Sequence, residues 1–435
     1  MIQSKILKGF RDSLPAQEIV KKKIIDTLEK QFSLYGFSPI DTPALEYTEV
    51  LLGKGGGETD KQIFHFADNG GRDVALRFDL TVPFARFMAL HRNELTIPFK
   101  RYHINKVWRG ENPQKGRFRE FYQCDFDIVG PDNPTSDVEI LMMMYHSLKS
   151  LQLSNVSIHI AHRGLFNAFL RHLHVDHNSV EILRTVDKIR KVGVNQTLES
   201  LNESTGSEKV SQDILSFITP VEDENPYDTI RRLSVLAGGE EEHSNRLRDI
   251  YSTLKSLDMA DNIIIDPSIT RGLDYYTGIV YETFLTDLPS IGSICSGGRY
   301  NDLASLYMKE KLPGVGSSIG LDRLIAALEE LGSPFLDSTR SSDVIIFNTD
   351  NSHIDYYQRI ALRLRELGVR VDLYLEKKKI TSQFKYAQAH NIPFGIFISD
   401  EEKSLGQFTL RRLSDRTDFK EMQIESAAVK IGEEV

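Results

Sequence analysis

Four groups of residues in this chain combine side chains able to hold an anion with side chains able to read a small polar ligand. The first is Arg271-Gly-Leu-Asp-Tyr-Tyr-Thr-Gly-Ile-Val-Tyr-Glu282, where an arginine, an aspartate and two adjacent tyrosines precede a β-prone run from Ile279 to Phe284. Side chains alternate across the two faces of a strand, so an arginine and tyrosines at its entrance can point into one cleft. An ordinary hairpin edge with polar surface residues has the same local pattern.

The second group is richer. Lys100–Arg109 and Phe118–Val129 both alternate like strands, and the turn-rich Gly110-Glu-Asn-Pro-Gln-Lys-Gly-Arg117 joins them into a long-looped hairpin. Arg109, Lys115, Arg117 and Arg119 surround its bend. On a regular second strand Arg119, Phe121, Gln123, Asp125 and Asp127 share one side, and Glu120, Tyr122, Cys124, Phe126 and Ile128 the other. Several arginines beside acidic and amide groups suit an anionic ligand such as a nucleoside triphosphate. A solvated charged hairpin is the alternative.

The third group, Val74-Ala-Leu-Arg-Phe-Asp-Leu-Thr-Val82, reads as a strand that brings Arg77, Asp79 and Thr81 to one face. A carboxylate and a hydroxyl two residues apart suit an ammonium group. In the fourth, Pro313 to Leu328, Gly314, Gly316 and Gly320 permit close backbone packing where a strand meets a helix. That helix, Gly320 to Leu331, would turn its free N–H groups and dipole toward a ligand, with Arg323 on its first turn.

Two other features carry less. Gly53-Lys-Gly-Gly-Gly-Glu58 lacks the spacing of a phosphate loop and reads as a mobile loop. His172, His174 and His177 are not at i, i+4 helical spacing and have no carboxylate-rich partner motif, so no metal site is expected.

The elements that must position these groups follow from hydrophobic period. Residues 16–34 repeat apolar side chains at helical spacing and stop at Gly36, a natural C-terminus. Phe37–Leu45 is extended and carries Pro39 and Pro43, which confine it to an edge or an interface. After Pro134 helical patterns dominate: 137–151, 165–173, 179–192, 212–218 and 228–237, with a polar loop at 201–208. Residues 165–255 form a helical insertion in a domain spanning 1–331. Residues 332–342 read as a linker, and 343–435 alternate strand and helix as a small α/β domain. In it Lys377-Lys-Lys379 and Lys385 sit near a strand-to-helix loop, suited to nucleic-acid phosphates or simply to water.

The chain's 435 residues suffice for two or three cores. It has no run of eighteen apolar residues to span a membrane, and its N-terminus lacks the apolar stretch of a secretory signal. Cys124 and Cys295, the two cysteines, form no disulfide framework or zinc knuckle, which points to a reducing cytoplasm. A formal net charge of −9 disfavours indiscriminate nucleic-acid binding but leaves room for a local basic groove.

Taken together, the groups resemble a known family. Arg109 to Asp127 resembles motif 2 of class II aminoacyl-tRNA synthetases, Gly314 to Leu324 with Arg323 resembles motif 3, and Tyr35 to Leu45 resembles motif 1, with Pro43 as the interface proline. Arg271-Gly-Leu-Asp-Tyr-Tyr is similar to the signature peptide of the histidyl-tRNA synthetases, and Lys8-Gly-Phe-Arg-Asp-Ser-Leu-Pro15 to their N-terminal segment. The resemblance implies an α+β fold: an antiparallel sheet flanked by helices, a helical insertion and a C-terminal anticodon-binding α/β domain. It implies ATP and L-histidine as substrates, Mg²⁺, tRNA(His) as acceptor, and a homodimer.

It also implies roles. Arg109 and Arg271 would be catalytic, holding the α-phosphate. Glu111, Arg117 and Arg323 would complete the ATP site. Asp79, Thr81 and Gln123 would take the histidine ammonium group, while Asp127, Tyr276 and Tyr275 would line the imidazole pocket. A catalytically silent relative, the regulatory subunit of ATP phosphoribosyltransferase, shares this core. It typically lacks the C-terminal domain and parts of the signature, both of which this chain has.

Overall fold

The computed structural model describes residues 2–53, 62–114, 116–270, 275–336 and 340–434. Arg271, Lys115 and the glycine-rich stretch beyond Gly53 lie outside the described residues. Two units emerge: Met1–Asp12 with Ile24–Phe335, and Ser13–Lys23 with Leu336–Val435.

The first unit is built on an eight-stranded sheet. Its strands, in spatial order, are β1 (Ser38–Pro39), β5 (Phe99–Trp108), β6 (Glu120–Val129), β11 (Gly314–Gly320), β10 (Cys295–Arg299), β9 (Ile279–Leu285), β7 (Val156–His162) and β8 (Ile263–Ile265). The interior pairings are antiparallel; only β1 with β5 and β7 with β8, at the two edges, are parallel. Pro39 thus lies in an edge strand, where its missing N–H costs nothing. A small antiparallel sheet pairs β2 (Leu45–Tyr47), β4 (Asp73–Leu76) and β3 (His65–Ala67) in that order.

Helix α1 (Pro15–Leu34) ends where the apolar period predicts. Its Ile24, Leu28 and Phe32 are fully buried, and Phe32 packs 5.4 Å from Tyr102 on β5 and 5.1 Å from Phe126 on β6, ring centre to ring centre. Helices α2 (Thr48–Leu52) and α3 (Thr81–Leu90) follow. Helix α4 (Pro134–Ser150) starts at Asn133, whose side chain accepts from the Ser136 N–H, with proline in the first turn where no donor is lost. Its Asp137 is fully buried between Arg299 of β10, 2.7 Å away, and Arg246, also 2.7 Å away.

Residues 163–256 hold seven helices among those described: α5 (Arg163–His172), α6 (Ser179–Asp187), α7 (Ile189–Val192), α8 (Val194–Thr205), α9 (Glu208–Ile218), α10 (Pro226–Leu236) and α11 (Glu242–Ser256). Two local readings are corrected here. The run 179–192 is two helices, and most of the polar stretch 201–208 is the last turn of α8, closed by Gly206 in the left-handed conformation at φ 67°. Polar residues on the exposed side of an amphipathic helix had imitated a loop. Helix α12 (Leu321–Glu330) follows β11 directly.

A third correction bears on the site. The predicted strand 74–82 ends at Leu76, and Thr81 opens α3. The Asp79 carboxylate accepts from the Val82 N–H at 3.0 Å, which satisfies a helix donor that a strand would have sent to a neighbour. Period two therefore does not place Arg77, Asp79 and Thr81. Arg77 is buried, donating to the carbonyls of Lys106 and Thr42.

In the second unit a five-stranded sheet runs β13 (Val371–Leu373), β12 (Val344–Ile346), β14 (Phe394–Phe397), β15 (Phe408–Arg412), β16 (Asp418–Met422). The first three strands are parallel and the last two antiparallel. Helices α13 (Ile354–Glu366), α14 (Ile380–Ala389), α15 (Asp400–Leu405) and α16 (Ile424–Glu434) accompany it. Tyr357, Ile360 and Leu364 of α13 bury one face of the sheet together with Ile431 of α16.

Candidate active site

The floor of the site is the pair of interior strands β6 and β11. Gln123, Asp125 and Asp127 alternate along β6 onto one face and are all nearly inaccessible, while Cys124, Phe126 and Ile128 fill the opposite core. Gly316 lies directly across from Asp127 in the β6–β11 register. A Cβ on Gly316 would come within 1.9 Å of Asp127 Oδ1, so glycine there is what makes room for the carboxylate. Asp127 accepts a hydrogen bond from the Tyr300 hydroxyl, and Arg101 Nη2 on β5 stands 2.7 Å from its other oxygen. Burial pushes the Asp127 carboxyl up, and the Arg101 charge and the Tyr300 bond pull it back.

The walls come from three other elements. Tyr275 and Tyr276 precede β9, with ring centres 4.7 Å apart, and Tyr275 meets Tyr300 edge-on at 6.1 Å. Tyr276 is buried against Gly298 of β10, which leaves no space for a Cβ. The Tyr275 hydroxyl bonds to Tyr276 and Thr81; burial raises its pKa well above the usual phenol, and the Tyr276 and Asp79 charges add to this. Gln123 donates to Ser318 at 2.8 Å and keeps its side-chain oxygen unpartnered. Asp79 is raised by burial, while its bonds to the α3 N–H groups and the charges of Arg109 and Arg101 lower it.

Asp79 is thus the link to a second cluster. Arg109, at the end of β5, donates to the Phe78 carbonyl at 3.1 Å and stacks over Phe78 at 4.3 Å. Arg117 lies 3.9 Å from Glu111 across the hairpin bend. Arg323, on the first turn of α12, donates to the Ser293 carbonyl at 2.5 Å. Its pKa falls to about 10, chiefly through burial and then through the like charge of Arg117, with Glu282 and Glu111 opposing. The like charges of Arg117 and Arg109 acting on Arg323 suit a shared anion, whose arrival would remove the repulsion.

The N-terminal segment braces this cluster. Gly9 O accepts from Arg119 N at 2.8 Å, and Arg11 stacks over Phe118 and pairs with Asp322. Asp322 also accepts from the Tyr122 N–H at 2.9 Å, tying α12 to β6.

Of the residues singled out from sequence, Asp79, Thr81, Gln123, Asp127, Tyr275 and Tyr276 lie around one polar floor, and Arg109, Glu111, Arg117 and Arg323 around the adjoining cluster. Arg271 is outside the described residues. Arg101 and Tyr300 were not singled out. Arg101 sits in the stretch read as the first strand of the hairpin, and the β5–β6 register sets it opposite Asp127; Tyr300 follows β10 and reaches Asp127 through its hydroxyl. His172, His174 and His177 have exposed side chains on or near the end of α5. Among the described residues Glu240, Glu242 and His243 bring metal-ligand atoms within 4.8 Å of one another, and none of the three is among the residues of this floor.

Comparison with known proteins identifies relatives of the whole chain. The family model described as histidyl-tRNA synthetase matches residues 9–324, and one described as anticodon binding domain matches residues 343–434. A histidine–tRNA ligase of Treponema denticola is 51% identical over 414 residues, covering 94% of this chain and 91% of the relative. One from Wolinella succinogenes is 40% identical, covering 98% of each. The crystal structure of histidyl-tRNA synthetase from Nostoc sp. PCC 7120 superposes with a TM-score of 0.88 at 29% identity and full coverage of both chains. A structure titled ATP phosphoribosyltransferase regulatory subunit/histidyl-tRNA synthetase, from Bacillus halodurans, gives 0.72 at 25% identity, covering 89% of this chain and 97% of that one.

Proposed function

The chain belongs to the histidyl-tRNA synthetase family, and we propose that it is the histidine–tRNA ligase whose active site is the floor and arginine cluster described above. In this reading it activates L-histidine with ATP to histidyl-adenylate and pyrophosphate, then transfers histidine to the 3′ end of tRNA(His), releasing AMP. The observation that supports it most is the junction at Asp79. There a tyrosine-lined pocket with a buried carboxylate adjoins Arg109, which is anchored on the Phe78 carbonyl, and beyond it Arg117 and Arg323.

The histidine carboxylate is already ionised and attacks the α-phosphorus directly, so the first step needs fixed cations rather than a protein base. Arg109 holds the α-phosphate from one side and Arg271 from the other. Arg323 and Arg117 meet the outer phosphates, and Glu111 faces the adenine. Mg²⁺ would supply further neutralisation of phosphate charge, and Glu282, whose charge acts on Arg323, is a carboxylate that would hold it. Asp79, Thr81 and the uncommitted oxygen of Gln123 take the ammonium group. Asp127 accepts one imidazole N–H, and Tyr276 meets the other ring nitrogen. Buried hydrogen-bonding groups of this kind reject analogues lacking the matching atoms by roughly 10⁴–10⁵.

The similarity to motif 1 at Tyr35–Leu45, with Pro43, supports a homodimer. No helix among the described residues is long and apolar enough to cross a membrane, and two buried free thiols suit the cytoplasm. The regulatory-subunit reading has less support, because residues 343–434 carry the anticodon-binding match and the near-full-length relatives are ligases. Charging of tRNA(His) with labelled histidine tests the proposal. Histidine esterified to the acceptor in step with AMP release is expected; a chain that binds ATP and tRNA(His) but forms no histidyl-tRNA would refute it.

A further inference from the structure

Arg101 is the most deeply buried cation at the site, with no solvent exposure, and its packing is unusual for a structural arginine. Its guanidinium stacks over Phe84 at 4.1 Å, and Nη2 is 2.7 Å from Asp127 Oδ2 and 3.5 Å from the Leu80 carbonyl. Nε and Nη1 have no hydrogen-bond partner among the described residues. A guanidinium buried only to hold the fold normally satisfies its donors, since an unpaired buried donor carries its full desolvation cost.

Three buried carboxylates surround this one cation. Asp127 is directly opposite in the register; Asp125 lies two residues away on the same face; Asp79 is held at the start of α3. Three carboxylates in one water-poor space cannot all remain charged without a cation. Arg101 lowers the proton affinity of each, in every case against the effect of burial.

We infer that Arg101 is a specificity-determining positioning residue, which holds the Asp127 carboxylate as the acceptor for the imidazole N–H and so sets histidine affinity without touching ATP. This rests on the reading of Asp127 as part of the histidine pocket. The Phe84 stack and the Leu80 carbonyl fix the plane of the guanidinium. The Tyr300 hydroxyl occupies one Asp127 oxygen, and Arg101 faces the other. With both constrained, the carboxylate presents one geometry to the ligand. A merely structural pair would affect folding but would not separate the two substrates.

Pyrophosphate exchange with the full chain tests this, using Arg101→Lys, Arg101→Met, Asp127→Asn and the Arg101→Met/Asp127→Asn double variant, with thermal midpoints measured in parallel. Arg101→Lys keeps the charge but loses the planar fork, so it folds while misaligning Asp127. Its histidine KM is expected to rise roughly 10–100-fold, the scale of loss when a group that orients a metal-ligating side chain is removed. Its ATP KM should stay within about threefold, and Arg101→Met should add little once Asp127 is already Asn. A folded Arg101→Lys with an unchanged histidine KM would overturn the inference, as would equal rises for histidine and ATP. A wild-type chain with no histidine-dependent exchange would instead refute the functional reading on which it stands.

Discussion

Gly316 and Asp127 face each other across β11 and β6 so closely that a methyl group on the glycine would come within 1.9 Å of the aspartate's Oδ1. The glycine-rich strand therefore does more than ease backbone packing. It opens the space in which the buried carboxylate of the neighbouring strand stands. The pocket around Asp127 depends on a residue with no side chain.

Gly316→Ala is accordingly expected to push Asp127 off the Tyr300 and Arg101 partners. Its histidine KM should rise at least about tenfold in pyrophosphate exchange, with the ATP KM nearly unchanged. Overpacking at such a site costs roughly 1–3 kcal/mol, so a modest fall in thermal midpoint accompanies it. Equal effects on both substrates would mean that the strand, not the carboxylate, had moved.

How much of this was legible in the sequence differs element by element. The β5–β6 hairpin was, because alternation over ten residues fixes both the strands and the side of Gln123 and Asp127. The Asp79–Thr81 segment was misread. A carboxylate that satisfies helix N–H groups leaves the same polar, apolar, polar trace as a strand edge. Arg101 and Tyr300 were invisible as site residues, because nothing local tells a strand arginine or a tyrosine just beyond a strand which carboxylate it will meet. That information lies in the register between strands and appears only in three dimensions.

Asp125 gives a pH prediction. Burial, with the Asp127 charge adding to it against the pull of Arg101, moves its carboxyl from 3.8 to about 7. A carboxyl raised in the folded state binds its proton more tightly there than in the unfolded chain. Its contribution to stability is full below 3.8 and is lost as pH rises towards about 7. Asp125→Asn removes that loss. The variant should gain on the wild type as pH is raised from 4 to 8, by on the order of a few kcal/mol. Chemical unfolding at several pH values measures this; parallel stability curves would contradict the assignment.

The arginine cluster gives a rate prediction. Arg109→Ala, Arg271→Ala and Arg323→Ala should each slow histidine-dependent exchange by about 10²–10³, the typical loss of one preorganised charge-stabilising donor. For Arg109 and Arg271, the two proposed to hold the α-phosphate, the fall should be in kcat as much as in KM. Near-normal exchange in either would remove it from the catalytic step.

The second unit should act on tRNA alone. Lys377, Lys378 and Lys379 are exposed just before α14. Reversing all three to Glu should raise the tRNA(His) KM in charging by about tenfold or more and flatten its salt dependence, because each lost phosphate contact lowers the salt slope by roughly one. Pyrophosphate exchange without tRNA should be unchanged. A charging KM equal to the wild type's would leave these lysines as a solvated corner.

The most direct test of the central claim, that this floor reads imidazole beside an ATP site, is ATP–pyrophosphate exchange measured with each of the twenty amino acids in turn. Exchange with histidine alone, at least about 10⁴-fold above any other amino acid in kcat/KM, is the predicted result. Exchange that is absent with histidine, or as fast with another amino acid, would contradict it.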